Sequence, residues 1–266
     1  VKCGNLFKAQ EAFDEVATRD VIAWNVLMSG YVRYGCWVEA LSCFTHMQEE
    51  GLCPDSISFL CALKACGIVA SIEKGEKVHA QILLGNHSVK LGNALVDMYV
   101  KCGEIWKAQE VFNEIEVRDV VSWNSLVGGY VHHGYSDEAW KCYQQMRDEG
   151  ISPDAVTFTC ILKACSNIGF IQEGEEIHDI VKKLGLSEND VVLSTALIDM
   201  YAKCGDICRA QEVFDNLHVR TVVSWNALIS GYVQHGYDEA AMECFARMQH
   251  EGFAPDAITF SFLLKV

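Results

Sequence analysis

Cations, prolines and long apolar runs are all scarce in this chain. Lysine and arginine total 21 against 36 aspartates and glutamates, giving a formal charge of −15. That balance argues against nonspecific capture of polyanions and must be weighed against any nucleic-acid reading. Half of the 266 residues are hydrophobic, but polar residues interrupt them every few positions, so a continuous core is expected and a membrane span is not. The three prolines, Pro54, Pro153 and Pro255, each precede an aspartate and read as separators between segments. No Cys-x-x-Cys occurs among 13 cysteines, which removes the usual zinc and redox spacings. No segment at the amino end resembles a signal or transit peptide, and there is no initiator Met. The chain opens and stops in mid-unit, so the expectation is an excised piece of a longer protein.

What is present is repetition. Trp24-Asn25-x-Leu27-x-x-Gly30-Tyr31-Val32 returns from Trp123 to Val131 and from Trp225 to Val233. Lys2-Cys3-Gly4 returns as Lys101-Cys102-Gly103 and Lys203-Cys204-Gly205, and Lys64-Ala65-Cys66 as Lys163-Ala164-Cys165. These phrases interleave, so each long period divides into three related units of about 31 to 36 residues, the range of a solenoid. In such an array function is spread over a surface drawn from many repeats. Most cysteines share the register: Cys3, Cys102 and Cys204; Cys43, Cys142 and Cys244; Cys61 and Cys160; Cys66 and Cys165. Small buried residues at helix contacts explain that pattern better than disulfides or metal ligands, and a reducing compartment fits best.

Each complete unit reads as two helices. From Ser224 to His235, Trp225, Leu228, Ile229, Tyr232 and Val233 form the apolar stripe of an amphipathic helix, which Gly236 breaks. Asp238-Glu239 then suit the first turn of a second helix running to Gly252. The expected architecture is all-α, a right-handed α-solenoid superhelix of helix-turn-helix repeats.

The pattern suits both tetratricopeptide and pentatricopeptide repeats; the Trp-Asn opening and Pro-Asp close resemble the pentatricopeptide type. The alternation of three unit types is similar to its P-L-S subclass. Residues 21–55, 120–154 and 222–256 resemble P units. Residues 56–88 and 155–190 resemble L units, with Leu-Lys-Ala-Cys and with Gly-Glu-x-x-His ending at His79 and His178. Residues 89–119 and 191–221 resemble S units, with Asp-Met-Tyr-x-Lys-Cys-Gly. Residues 1–20 match the tail of an S unit and 257–266 the start of an L unit. Together, 1–266 read as a single array.

The resemblance implies single-stranded RNA as partner, one base per repeat, set by the fifth and last residues of a unit. Those pairs are Asn25 with Asp55, Asn124 with Asp154 and Asn226 with Asp256 in the P units. In the S units they are Asn93 with Asp119 and Thr195 with Thr221. The family's rule assigns Asn with Asp to uracil and leans Thr towards a purine; Thr221 departs from the usual Asp or Asn. An amide presents a donor and an acceptor to a base edge, and a carboxylate fixes its direction. Alternatively, the aspartates are ordinary helix N-caps; an Asn inside a helix is harder to explain that way, its propensity there being poor. Base reading requires these amides to be reachable by solvent, not hidden between helices.

The second residues Ile22, Val121, Val192 and Val223 are implied to wedge between adjacent bases, core packing being the alternative; Lys90 breaks their column. Lys2, Lys101, Lys203 and Arg33 fall at the thirteenth position and are expected to form a cationic stripe, contacting phosphate or serving the helix dipole. Glu39, Glu49, Glu50, Glu138, Glu149, Asp238 and Glu239 fall on second helices, away from it. Trp24, Trp123 and Trp225, and likewise His79 and His178, read as packing residues.

The expected function is the recognition array of an organellar C-to-U RNA editing factor, in mitochondrion or chloroplast, with accessory editing proteins meeting the L units. Editing chemistry would need the His-x-Glu and Cys-x-x-Cys ligands of a zinc deaminase; this chain has neither, so no catalytic residue, metal or cofactor is expected. The expected preference, 5′ to 3′, is U-N-U-U-N-purine-U. The alternative is a peptide-binding scaffold of the tetratricopeptide kind. No membrane or small-molecule partner is expected.

Overall fold

The computed structural model describes residues 6–85, 88–186 and 190–265. Among them are sixteen helices and no strand. The chain divides into two compact units, Val1–Gly129 and Tyr130–Val266. The first holds α1 (Leu6–Asp14), α2 (Val21–Arg33), α3 (Trp37–Glu49), α4 (Ser56–Ile68), α5 (Ile72–Leu83), α6 (Val89–Lys101), α7 (Ile105–Glu114) and most of α8 (Val120–His132). The second holds α9 (Ser136–Asp148), α10 (Ala155–Ile168), α11 (Ile171–Lys183), α12 (Val191–Lys203), α13 (Ile207–Asp215), α14 (Val222–Gln234), α15 (Asp238–His250) and α16 (Ala257–Leu263).

In each unit the helices pair as hairpins and the first helices of successive hairpins pack side by side. In the first, α2 packs on α3 and α4, and α4 on α5 and α6; in the second, α12 packs on α10, α11, α13 and α14, and α14 on α15 and α16. A first helix is thus covered on nearly all sides, leaving one open stripe. Six first helices begin at side-chain caps: Asp20, Asp55, Asp154, Asp190, Thr221 and Asp256 each accept from a backbone N–H in the first turn. Gly236, with φ +72°, makes the turn that ends the α14 segment.

Trp24, Trp123 and Trp225 are core. Phe13 meets Trp24, Phe112 meets Trp123 and Phe214 meets Trp225 edge to face at 4.6, 4.7 and 4.5 Å between ring centres. Arg19, Arg118 and Arg220 cover the phenylalanine rings at 4.9, 4.8 and 5.1 Å. His79 and His178 pack by hydrogen bonding, Nδ1 lying 2.9 Å from the hydroxyls of Tyr99 and Tyr201 respectively. The described cysteines are free thiols; burial pushes Cys66 up to about 11 and Cys165 up to about 12, well outside the range of a reactive thiolate.

The Gly-Tyr-Val phrase has a packing reason. A Cβ on Gly231 would lie 2.5 Å from the Ala202 Cβ and 3.4 Å from its Cα, atoms that move only with the backbone. A Cβ on Gly174 would also lie 2.5 Å from an atom, but that atom is the mobile Sδ of Met200. Gly231→Ala is therefore expected to cost about 1–3 kcal/mol by overpacking, and Gly174→Ala distinctly less. Urea denaturation of the two variants compares them directly; equal losses would contradict the distinction.

Candidate nucleic-acid interface

The open stripe of each first helix follows helical spacing through its second, sixth, ninth and thirteenth residues. On α2 it is Ile22, Val26, Ser29 and Arg33, all exposed, while Trp24, Asn25, Leu27 and Met28 turn inward. The second residues are well exposed: Ile22 at 70%, Val121 at 54%, Val192 at 67% and Val223 at 65%. Core packing is thereby excluded for this column. Helices α4, α10 and α16 extend it with Ile57, Val156 and Ile258, also exposed, which the sequence reading left out. An aliphatic side chain kept in water at the same helical position, repeat after repeat, offers a shelf for a flat apolar partner.

The amides stand just inside that stripe, and here the expectation of open amides is corrected. Asn25 is 5%, Asn93 9% and Asn226 6% exposed. The reason is a small polar network at the start of the following helix. Asn25 Nδ2 donates to both Asp55 oxygens at 2.9 and 3.0 Å, and Asn25 Oδ1 accepts from the Ser58 hydroxyl at 2.7 Å. Asn226 repeats this, donating to Asp256 Oδ1 at 3.0 Å and accepting from the Thr259 hydroxyl at 2.7 Å. Asp55 and Asp256 simultaneously cap α4 and α16 in capping boxes. Capping and amide-holding, posed as alternatives by the sequence, are two tasks of one carboxylate. The hydroxyls of Ser58 and Thr259 are site residues that sequence reasoning missed; Asp-x-x-Ser/Thr after each proline was the available signal.

Recessed is not sealed. Ile22, Asn25, Val26, Ser29, Gly30, Arg33, Asp55 and Ile57 line a cleft of about 490 Å³. It brings together two aliphatic shelves, an amide held by a carboxylate, and a guanidinium. The hydroxyl is also adjustable. The single Ser58 proton faces Asn25 Oδ1 at 2.7 Å and Asp55 Oδ1 at 3.1 Å, so turning it to the carboxylate releases the amide oxygen. The Asn93 site has that released arrangement: Ser122 donates to Asp119 Oδ1 at 2.9 Å, Asn93 Nδ2 donates to the same oxygen at 3.1 Å, and the buried Asn93 Oδ1 has no partner. A buried, unpaired carbonyl oxygen is costly unless a ligand donor completes it.

Two pairs differ. Thr195 donates its hydroxyl to the Val191 carbonyl at 2.7 Å in its own helix, while Thr221 caps α14, and among the described residues no hydrogen bond joins them. Both hydroxyls serve local backbone instead. Asn124 is half-buried in the first unit, and Asp154 caps α10 in the second through a capping box with Thr157.

The cationic column is weaker than its register implied. Lys101 and Lys203 are ion-paired with Asp97 and Asp199, one turn back, at 2.6 and 2.8 Å. Their charge is therefore partly spent within the helix. Arg33 is exposed at the cleft, and Lys2 lies outside the described residues. The acidic residues named above lie on α3, α9 and α15 or at their ends. Among the described residues no group of three His, Cys, Asp or Glu side chains could hold a metal ion, and no helix is long and apolar enough to cross a membrane.

The carboxylates at the sites are held ionised. Burial opposes charge on Asp55 and Asp119, but N–H and O–H donors from Ser58 and Asn25, and from Ser122 and Asn93, outweigh it and keep both below the usual carboxylate range. At Asp256 the Thr259 backbone N–H and the Asn226 amide do the same. Their contribution to stability is complete above the unfolded carboxylate value of about 3.9 and is lost as pH falls through the lower folded values. The melting-temperature gap between the wild type and Asp256→Asn should accordingly be constant from pH 8 to 5 and shrink below about pH 4. A gap that widens on acidification would contradict the assignment.

Comparison with known proteins adds the context. A family model described as "PPR repeat family" matches residues 19–67, 118–167 and 220–266, and one described as "PPR repeat" matches 93–120, 156–186 and 192–220. A putative pentatricopeptide repeat-containing protein of Arabidopsis thaliana is 37% identical over all of this chain and 39% of its own length. A chloroplastic relative from the same plant is 36% identical over 97% of this chain and 32% of its own length, and a mitochondrial one 35% identical over 98% and 47%. The chain thus spans less than half of each of these relatives. Among solved structures, the pentatricopeptide repeat protein PPR10 in complex with an 18-nt psaJ RNA element superposes with a TM-score of 0.85 at 22% identity, over 99% of this chain and 40% of that one. A tetratricopeptide repeat protein from Parabacteroides merdae gives 0.56 at 13% identity, over 92% and 98%. These two likenesses concern the fold.

Proposed function

The chain belongs to the pentatricopeptide repeat family, and from that membership we propose that it binds single-stranded RNA sequence-selectively, one base per P or S unit. The observation that carries the reading is the cleft at Asn25, where exposed aliphatic shelves flank an amide whose direction a carboxylate dictates, an amide–carboxylate bond that recurs at Asn93 and Asn226. A base stacked between Ile22 and Ile57 would meet the Asn25 edge at the cleft floor. Binding turns the Ser58 hydroxyl to Asp55 and exposes the amide oxygen to a base N–H, so no buried group loses its partner. Asn93 starts in that state and is the site best prepared for an incoming donor.

The array is the recognition part of a C-to-U editing factor of mitochondria or chloroplasts, of the P-L-S subclass, non-catalytic itself, with accessory editing proteins at its L units. The support is the alternation of unit types and the organellar names of relatives. The preferred sequence is U-N-U-U-N-purine-U, with the sixth base the least defined of the five that are specified because Thr195 and Thr221 are not joined. A peptide clamp of the tetratricopeptide kind is disfavoured, since the Asn donors that would hold a carboxylate already face the chain's own aspartates.

Gel-shift titration of this heptamer against a scrambled one, at two salt concentrations, tests the proposal. The heptamer should bind at least tenfold more tightly at both, as expected when bases rather than phosphates carry discrimination. Equal binding at both salts would overturn it.

A further inference from the structure

The Lys-Ala-Cys phrase of the L units takes no part in base reading. Lys64 on α4 and Lys163 on α10 lie on the open stripe, seven residues beyond Ile57 and Val156, roughly 10 Å further along the helix. Both are exposed, and among the described residues neither has a carboxylate partner, in contrast to Lys101 and Lys203.

Contacts in the first unit fix the place of Lys64. Ser29 Oγ meets Cys61 Sγ at 3.6 Å, setting the turn before Lys64 against the part of α2 that leads to Arg33. A Cβ on Gly67 would lie 3.2 Å from the Lys101 Cδ, so the turn after Lys64 borders the end of α6. Lys64 therefore stands between Arg33 and Lys101, and the nearby Asp97 is already held by Lys101. Lys163 has the same place on its helix in the second unit, where Asp199 on the neighbouring α12 is likewise held by Lys203.

Neither L unit has an amide at the fifth position: Leu60 is aliphatic, and the Thr159 hydroxyl bonds the Ala155 carbonyl at 2.8 Å. We propose that Lys64 and Lys163 are phosphate-binding residues, by which the L units hold the RNA backbone between the units that read bases. The inference rests on the RNA-binding function proposed above. An unpaired ammonium offers three donors to a phosphate oxygen without first breaking an ion pair, and it releases a condensed counterion from the strand.

The test measures the affinity of Lys64→Ala, Lys163→Ala and the double variant for the heptamer across a salt series, with a scrambled heptamer in parallel. Each substitution should flatten the log–log salt slope by about 0.7, equivalent to about fourfold weaker binding at 0.15 M salt. The ratio between heptamer and scrambled RNA should stay at its wild-type value, Lys64→Arg should restore the slope, and Lys101→Ala should have a smaller effect than Lys64→Ala. An unchanged slope in a folded double variant that still prefers the heptamer overturns the inference and leaves base reading intact. A flattened slope in a protein without sequence preference supports the phosphate contacts while overturning base reading. Absence of RNA binding by the wild type overturns both.

Discussion

Asn226→Thr is expected to change the preferred seventh base from uracil to guanine. In the wild type the Asn226 amide is fixed at both ends, its nitrogen donating to Asp256 at 3.0 Å and its oxygen accepting from Thr259 at 2.7 Å. What it presents to a base is thus a defined donor and acceptor order. Threonine removes the amide and leaves a hydroxyl that donates or accepts according to its neighbour, and Asp256, ionised, is acceptor only. Under the proposed base reading, Thr with Asp goes to guanine. The worth of such a contact is about 1–3 kcal/mol, so the ratio of uracil to guanine affinity should fall at least tenfold and invert. Unchanged uracil preference in folded Asn226→Thr would remove Asn226 from the reading role.

Trp225→Ala is expected to give the largest loss of stability, about 3–5 kcal/mol, by leaving a cavity that the repeat cannot close. Trp225 is completely buried, meets Phe214 at 4.5 Å, and lies under Arg220 and Arg247 at 5.9 and 5.5 Å from its ring. In a repeat array such damage falls first on the unit's immediate neighbours, so unfolding should lose cooperativity as well as midpoint. A base-stacking tryptophan would behave oppositely, losing affinity at unchanged stability. Chemical denaturation of the variant distinguishes the two, and a loss below about 1 kcal/mol would contradict the core assignment.

Much of this was readable from spacing. Trp-Asn, Pro-Asp and Lys-Cys-Gly phrases placed the hairpins because helix faces and caps depend on local order in the chain. Burial of the amides was not readable, since it depends on a side chain of the next repeat: Ser58 reaches Asn25 across 33 residues. Seen only as a column, Asn25, Asn93 and Asn226 suggest open amides; seen with the following Asp-x-x-Ser/Thr, they become parts of a capping network. The ion pairs of Lys101 and Lys203 were legible in Asp-Met-Tyr-x-Lys, whose four-residue separation puts both charges on one helix face. The exposed Ile57, Val156 and Ile258 were equally visible in the sequence, at the second positions of helices whose fifth residue is not an asparagine.

Scanning the heptamer one base at a time tests the central claim most directly. Uracil-to-cytosine changes at the first, third, fourth and seventh positions should each weaken binding by about 1–3 kcal/mol, while changes at the second and fifth should have little effect. Equal losses at all positions, or none at the four uracils, would contradict one-base reading by Asn25, Asn93, Asn124 and Asn226.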